Sequence, residues 1–338
     1  MPPPKTYAWY NPYYNSGAER YRHHLHDLYG RRIDSEQDFR ERLNSVKARP
    51  DIFLIWCFCE ERAGLVSLCR ENGINVAFWE DGFFPHYDSV HFDPLGFCWE
   101  SSLPRMVFRQ CTDRQRACAQ EARRAWLEKP RGSLPAGIRK PYALWPLQLI
   151  GDKVNEWDLA LKDWTPLIRH FRARLPQHFQ LVVKPHPLSE PKDIVGIEAL
   201  SKELTNTLLL PTGANLHFLL HECNAVAGAN SSVLYEARLM HFKPTFAYGR
   251  SWFTNHEELF LPLRVNFPRP LPRLDWVENP AGMHSAYLYD YADWFLAQLL
   301  ARQLHREPAE KDPVGFTEIL CHMSQQSYME NGDSIFER

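Results

Sequence analysis

Three short stretches of this chain combine reactive residue types with a place at the end of an apolar run. Glu80-Asp81-Gly82 follows VAFW, so two carboxylates stand where a strand stops, and either can attack a carbon or accept a proton. Lys184-Pro185-His186-Pro187 follows FQLVV. Its prolines restrict the backbone on both sides of the imidazole, and Lys with His offers donors suited to a phosphate or an acidic sugar. Asn230-Ser231-Ser232 follows AVAGA and opens the helical pattern VLYEARLM, and a helix start offers unpaired N–H groups and the positive end of a dipole to anions. Glu236 lies four residues beyond Ser232 on the same helical face, where a carboxylate can accept ribose hydroxyls. Singly, each has a plainer explanation: an acidic turn, a rigid proline turn with a surface His, a helix cap.

The elements that must carry these residues read as βαβ units. DIFLIWCF from Asp51 and INVAFWEDG from Ile74 are continuous apolar runs separated by a helical segment, the pattern of a parallel sheet covered on both faces. A polar, helix-prone stretch from Arg109 to Lys129 leads into KPRGSLPAGIRKP (129–141), which reads as a linker and places a domain boundary near residue 138. Beyond it YALWPLQLI, FQLVV, TLLLP, AVAGA and PTFAYG are expected strands, with helices over 164–175, LHFLLHE and SSVLYEARLM. AYLYDYADWFLAQLLARQL (286–304) has helical apolar spacing, and the tail after Arg306 looks loosely ordered. The expectation is an α/β protein of two Rossmann-like domains with parallel sheets facing a central cleft. Residues 1–138, joined by a C-terminal helix of about 286–338 that packs back, form the first domain, and 139–285 the second. In open α/β sheets ligands sit at the C-terminal strand edge, where all three motifs fall.

Composition narrows the function. With 338 residues and 44% hydrophobic content the chain is long enough for two cores. The 39 Lys and Arg against 41 Asp and Glu give a formal charge of −2, which excludes a general nucleic-acid binder held by phosphate neutralisation. The N-terminus lacks the apolar core of an export signal and no stretch approaches the roughly 18 apolar residues of a membrane span, so a soluble, unexported protein is expected. The eight Cys lack CxxC spacing and read as reduced, mostly buried thiols. Cys57 and Cys59 share one face of an apolar strand, and His23, His24 and His26 read as a surface cluster without matched metal-ligand partners.

Taken together, the acidic-Gly turn, the His-Pro turn and the Ser-Ser helix start resemble those of bacterial enzymes that use CMP-linked sugars, among them GT-B sialyltransferases and Kdo transferases. EDGFFPHYDSVHFDPLGFCWESSLPR (80–105), LWPLQLIGDKV (144–154), KPHP and NSSVLYEARLMHFKPTFAYGRSWF (230–253) are similar to the capsule and O-antigen Kdo transferases, over residues 50–305. One departure stands out: Phe97-Cys98-Trp99 follow Asp93-Pro94-Leu95-Gly96 where relatives commonly have a small residue and an Asn, in a region expected to shape the acceptor pocket.

The resemblance implies transfer of Kdo from CMP-β-Kdo with retention, through a covalent sugar on Asp81 with Glu80 as the neighbouring acid. Lys184, His186, Pro187, Asn230, Ser231, Ser232, Glu236 and Gln148 would bind the donor, and Gly82, Asp93 and Arg105 would meet the acceptor or the donor carboxylate. CMP leaves as a monophosphate that such donors can neutralise, so neither a metal nor another cofactor is expected. The implied partners are the CMP-sugar and a glycan or lipid-linked glycan acceptor, with no nucleic acid. The implied place is the cytoplasm, including peripheral contact with the inner membrane. Two rivals stay open: an inverting sialyltransferase-like enzyme with Asp81 as general base, and a non-catalytic nucleotide-sugar-binding component of a polysaccharide assembly complex.

Overall fold

A strand that is apolar on both faces must be covered on both, and IFLIW and YALWP are buried along their whole length. The computed structural model describes residues 7–10, 30–33, 35–45, 50, 52–56, 62–84, 89–128, 132–159, 162–263, 275–278 and 285–305. The three clustered histidines from His23 to His26, Cys57 with Cys59, and the tail after Arg306 lie outside these residues. Two compact units divide the chain, with breaks after Met106 and after Ala297.

The first unit is built on a six-stranded sheet. Its strands are β1 (Tyr7–Tyr10), β2 (Gly30–Ile33), β3 (Ile52–Trp56), β4 (Asn75–Asp81) and β5 (Ser89–Asp93), completed by the late strand β12 (Gln303–His305), in the order β12-β5-β4-β3-β1-β2. β1 to β4 run parallel, whereas β5 pairs antiparallel with both β4 and β12. The sheet is therefore mixed where a parallel one was expected, because only seven residues separate β4 from β5 and a parallel crossover needs a dozen or more. Helices α1 (Glu36–Ser45) and α2 (Arg62–Glu71) belong to this unit.

The second unit opens with α3 (Asp113–Leu127), started by a reciprocal capping box. The Thr112 hydroxyl accepts from the Gln115 N–H at 3.2 Å, and Gln115 Oε1 accepts from the Thr112 N–H at 2.9 Å. A wholly parallel sheet follows, made of β6 (Tyr142–Pro146), β7 (Gln180–Lys184), β8 (Thr207–Leu209), β9 (Ala225–Gly228), β10 (Thr245–Ala247) and β11 (Leu261–Pro262). Its order is β11-β10-β9-β6-β7-β8, so the chain proceeds outward from β6 to β8 and then crosses to β6's other side to lay down β9. The helices are α4 (Lys153–Asp158), α5 (Thr165–Arg172), α6 (Pro191–Glu203), α7 (Leu216–Glu222), α8 (Ser232–His241), α9 (Asp275–Glu278) and α10 (Ala286–Arg302), with the second chain break inside α10.

The first break comes some thirty residues before the expected 138, because α3 packs into the second unit. Its Arg123 is buried there: Nε donates to the Leu239 carbonyl at 2.8 Å, Nη2 stands 2.8 Å from Asp293 of α10, and the guanidinium lies 4.1 Å from the centre of the Phe242 ring. The linker-like segment 129–141 thus joins two elements of one unit. Burial lowers the Arg123 pKa and Asp293 pulls it back up.

Removing one partner of a buried ion pair strands the other charge in an apolar setting, at a cost of about 3–5 kcal/mol. Asp293→Ala is expected to lower the free energy of unfolding by that much, read as a fall in the urea midpoint. Asp290→Ala, which breaks the half-exposed pair with Arg116, should leave the midpoint nearly unchanged.

Candidate functional site

In the first unit the acidic turn is held from three sides. Strand alternation sends the side chains of Glu80 and Asp81 to opposite faces of the sheet, with Glu80 opposite His91 and Asp81 opposite Val90. Adjacent in sequence, the two carboxylates do not form a proton-sharing pair. The imidazole of His91 is buried against the Phe83 ring, 4.3 Å between centres, and its Nδ1 lies 2.8 Å from the Asp81 carbonyl. A carbonyl only accepts, so Nδ1 carries the proton. Gly82 donates its N–H to the Ser89 carbonyl at 2.7 Å. A Cβ at Gly82 would come 2.0 Å from Ser89 Oγ and 2.9 Å from its backbone carbon, so the neighbouring strand, more than a ligand, demands the glycine.

Gln303, from the far end of the chain, closes the turn. Its Oε1 accepts from the N–H groups of Phe83 and Phe84 at 3.0 and 2.9 Å, and its Nε2 donates to the Phe84 carbonyl at 2.6 Å. Nothing in the sequence signals this, since the partners are about 220 residues apart. His91 had a signal: SVHFD soon after a polar turn is a strand-length run that could have been read as the return arm of a hairpin.

The expected acceptor residues do other work. Asp93 is almost wholly buried, with Oδ1 accepting from the N–H groups of Leu95 and Gly96 and Oδ2 from the N–H and hydroxyl of Ser102. Burial pushes its carboxyl up, while these four donors draw it down. Asp93 thus organises the loop that follows it, and both its oxygens are taken. Phe97, in the departing segment, is buried and packs edge-on against Phe78 at 5.0 Å, so its ring fills core. Arg105 ends a short helical turn (Leu103–Arg105) with an exposed side chain, and no carboxylate pairs with it among the described residues.

In the second unit three adjacent strands bring most of the expected donor residues to one edge. Gln148 follows β6, Lys184 ends β7 with His186 just beyond, and Asn230 follows β9. β6 and β9 flank the point where the strand order reverses, the position at which open α/β sheets take ligands. There Gln148 Nε2 donates to Asn230 Oδ1 at 2.9 Å, and the Asn230 N–H donates to Gln148 Oε1 at 3.2 Å. Asn230 Nδ2 is left buried without a hydrogen-bond partner, a donor available to a ligand oxygen.

Lys184 is 3% exposed, and its ammonium donates to the carbonyls of Pro185 and Thr212 at 3.0 and 3.1 Å. No carboxylate pairs with it among the described residues, and burial lowers its pKa. An uncompensated buried cation makes this edge attractive to an anion. His186 Nδ1 accepts from the Leu188 N–H at 3.1 Å, so the neutral ring carries its proton on Nε2. Burial lowers the His186 pKa, nearby Lys184 lowers it further, and Asp152 opposes both. Pro187 is exposed beside it. Ser231 caps α8, its hydroxyl accepting from the Val233 N–H at 3.3 Å, and Ser232 is the first helical residue. Glu236 is the outlier: its carboxylate stands 3.6 Å from His217 Nδ1 and beside His241.

Residues 115–256 match the family described as capsule polysaccharide biosynthesis protein, a span that holds every donor-side residue above and excludes Asp81. No curated protein matches the chain by sequence. Its fold is similar to two solved structures of KpsC from Thermosulfurimonas dismutans. The β-Kdo 2,7 transferase is 15% identical with a TM-score of 0.56, covering 92% of this chain and 99% of that one. The β-Kdo 2,4 transferase is 16% identical with a TM-score of 0.57, covering 92% and 97%. The chain has the GT-B class of fold that its sequence led us to expect. Among the described residues no helix is long and apolar enough to cross a membrane.

Gln303→Leu strands two buried N–H groups at the acidic turn, and each should cost about 1–3 kcal/mol, read from chemical unfolding. A second test concerns His186. As pH falls past the ordinary imidazole value of 6.5, the unfolded chain takes up a proton before the folded one. The stability held by neutral His186 is full above 6.5 and is lost as pH falls through its lower folded value. His186→Gln should flatten that part of the stability profile.

Proposed function

We propose that the chain is a glycosyltransferase of surface-polysaccharide assembly that moves Kdo from CMP-β-Kdo to a capsular, O-antigen or lipid-linked glycan acceptor with retention. The observation that carries this reading is the edge of the second sheet: a buried ammonium without a counter-ion, an unsatisfied buried amide and a neutral imidazole N–H, gathered where the strand order reverses. These are donors for a phosphate, and they fall inside the segment that matches capsule polysaccharide biosynthesis proteins.

In this reading Lys184, His186 Nε2–H, Asn230 Nδ2 and the N–H groups at the start of α8 hold the phosphate of CMP and stabilise the charge it gains as it leaves. Gln148 holds the Asn230 amide in place, and Pro187 limits how far His186 can swing. Asp81 attacks the anomeric carbon of Kdo as the bond to phosphate breaks, forming a glycosyl ester. The acceptor hydroxyl then displaces Asp81, giving up its proton to a base, and two inversions give net retention. Glu80, on the opposite strand face, is assigned no proton transfer with Asp81. The leaving phosphate is neutralised by protein donors, so no step calls for a metal. The acceptor's lipid would bring the enzyme to the cytoplasmic face of the inner membrane.

Intact-mass spectrometry after incubation with CMP-Kdo generated in situ tests this directly. A mass increase of one Kdo residue, lost in Asp81→Ala, is the expected result. CMP release with no adduct would favour an inverting enzyme with Asp81 as general base. CMP binding that survives Asp81→Asn, with no turnover of any CMP-sugar by the wild type, would favour a binding component.

A further inference from the structure

The flank of the second unit carries a cluster that the transfer reaction does not use. His217 and His221 are four residues apart on α7 and so share one helical face, and α8, packed beside it, contributes Glu236 and His241. One ligand atom each of His217, Glu236 and His241 lies within 4.8 Å of the others, and all three side chains are half-buried. The His217 and His241 ring centres are 5.4 Å apart, and those of His221 and His241 6.1 Å.

A tetrahedral Zn²⁺ ion with bonds of about 2.0–2.1 Å sets its donor atoms about 3.3 Å apart and places imidazole centres about 5 Å apart. The His217 Nδ1 to Glu236 Oε1 separation of 3.6 Å already meets the first spacing closely, and the ring separations need only small rotations to meet the second. Imidazoles with one carboxylate suit zinc, whereas Mg²⁺ and Ca²⁺ prefer all-oxygen shells.

We propose that His217, Glu236 and His241 form a zinc site, with His221 in the fourth position. The ion ties α7 to α8, the helix whose start bears Ser231 and Ser232, and its role is structural. Glu236 then serves the metal, in place of the ribose contact expected from the sequence. This inference does not depend on the transfer reaction, and its test reads metal binding alone.

The chelator-treated full chain is titrated with Zn²⁺ by calorimetry and with Co²⁺ by visible absorption. Expected are one ion per chain, the intense absorption of tetrahedral Co²⁺ and a higher melting temperature with Zn²⁺. All three should be lost in the double variant His217→Ala with His241→Ala. Glu236→Gln keeps the side chain's shape and should weaken binding with an unchanged circular dichroism spectrum, which separates loss of the site from loss of the fold. Undiminished binding in the double variant, a weak octahedral Co²⁺ spectrum, or no binding by the folded wild type would overturn the assignment.

Discussion

The donor edge depends on one feature of topology, the reversal of strand order between β6 and β9, and on the paired amide bonds that close it. Parallel strands diverge past their C-terminal ends at such a point, because the chains leaving them head to opposite faces of the sheet. Gln148 and Asn230 bridge that gap with two hydrogen bonds that use one donor and one acceptor on each residue. The geometry leaves Asn230 Nδ2 over, so the contact that joins the strand ends also fixes a donor for the ligand. An Asp at 230 would keep both bonds, one accepted by its side chain and one donated by its backbone N–H, but put a negative charge where the amide protons now stand. Asparagine alone among acidic and amide side chains of that length satisfies both demands.

The two units fix their reactive residues by different physical means. In the first, the backbone of the acidic turn is satisfied: His91 takes the Asp81 carbonyl, Ser89 the Gly82 N–H, and Gln303 the next two amides. The N–H groups of Phe83 and Phe84 are thus both taken within the protein. In the second it is incomplete among the described residues: a buried ammonium there meets only carbonyl dipoles and a buried amide has no acceptor, and both cost free energy. In the proposed reaction, binding of the phosphate would recover what folding left unsatisfied.

Much of this was legible in the sequence because buried parallel strands announce themselves. IFLIW, YALWP, QLVV and AVAG are runs that no amphipathic helix would tolerate at that length, and each formed a strand where expected. Residues at the ends of those runs therefore fell at the right sheet edge. What stayed hidden depends on partners far apart in the chain. β12 cannot be read from three residues, and Gln303 gains its meaning only opposite Phe83. The resemblance alone assigns Asp93 to the acceptor or the donor carboxylate, and no local pattern signals that Ser102 supplies two of its four donors. The boundary near 138 failed for a similar reason, since a polar helix with one buried Arg gives no sequence sign of the Asp293 that receives it.

The same alternation that separates Glu80 from Asp81 bears on which acid the proposed double displacement would use. Displacement at carbon demands that the nucleophile be held within a fraction of an ångström along a fixed line, so the carboxylate with fewer free torsions and a better-anchored backbone has the advantage. Asp81 has one torsion fewer than Glu80. Its carbonyl is hydrogen-bonded to His91, and the next residue is pinned to Ser89 so closely that a single methyl group would not fit. A glutamate at 81 would keep the charge and lose that economy of motion, while an aspartate at 80 would gain it on the wrong face of the sheet. The order Glu-Asp-Gly, and not merely its composition, is thus what the local structure can use.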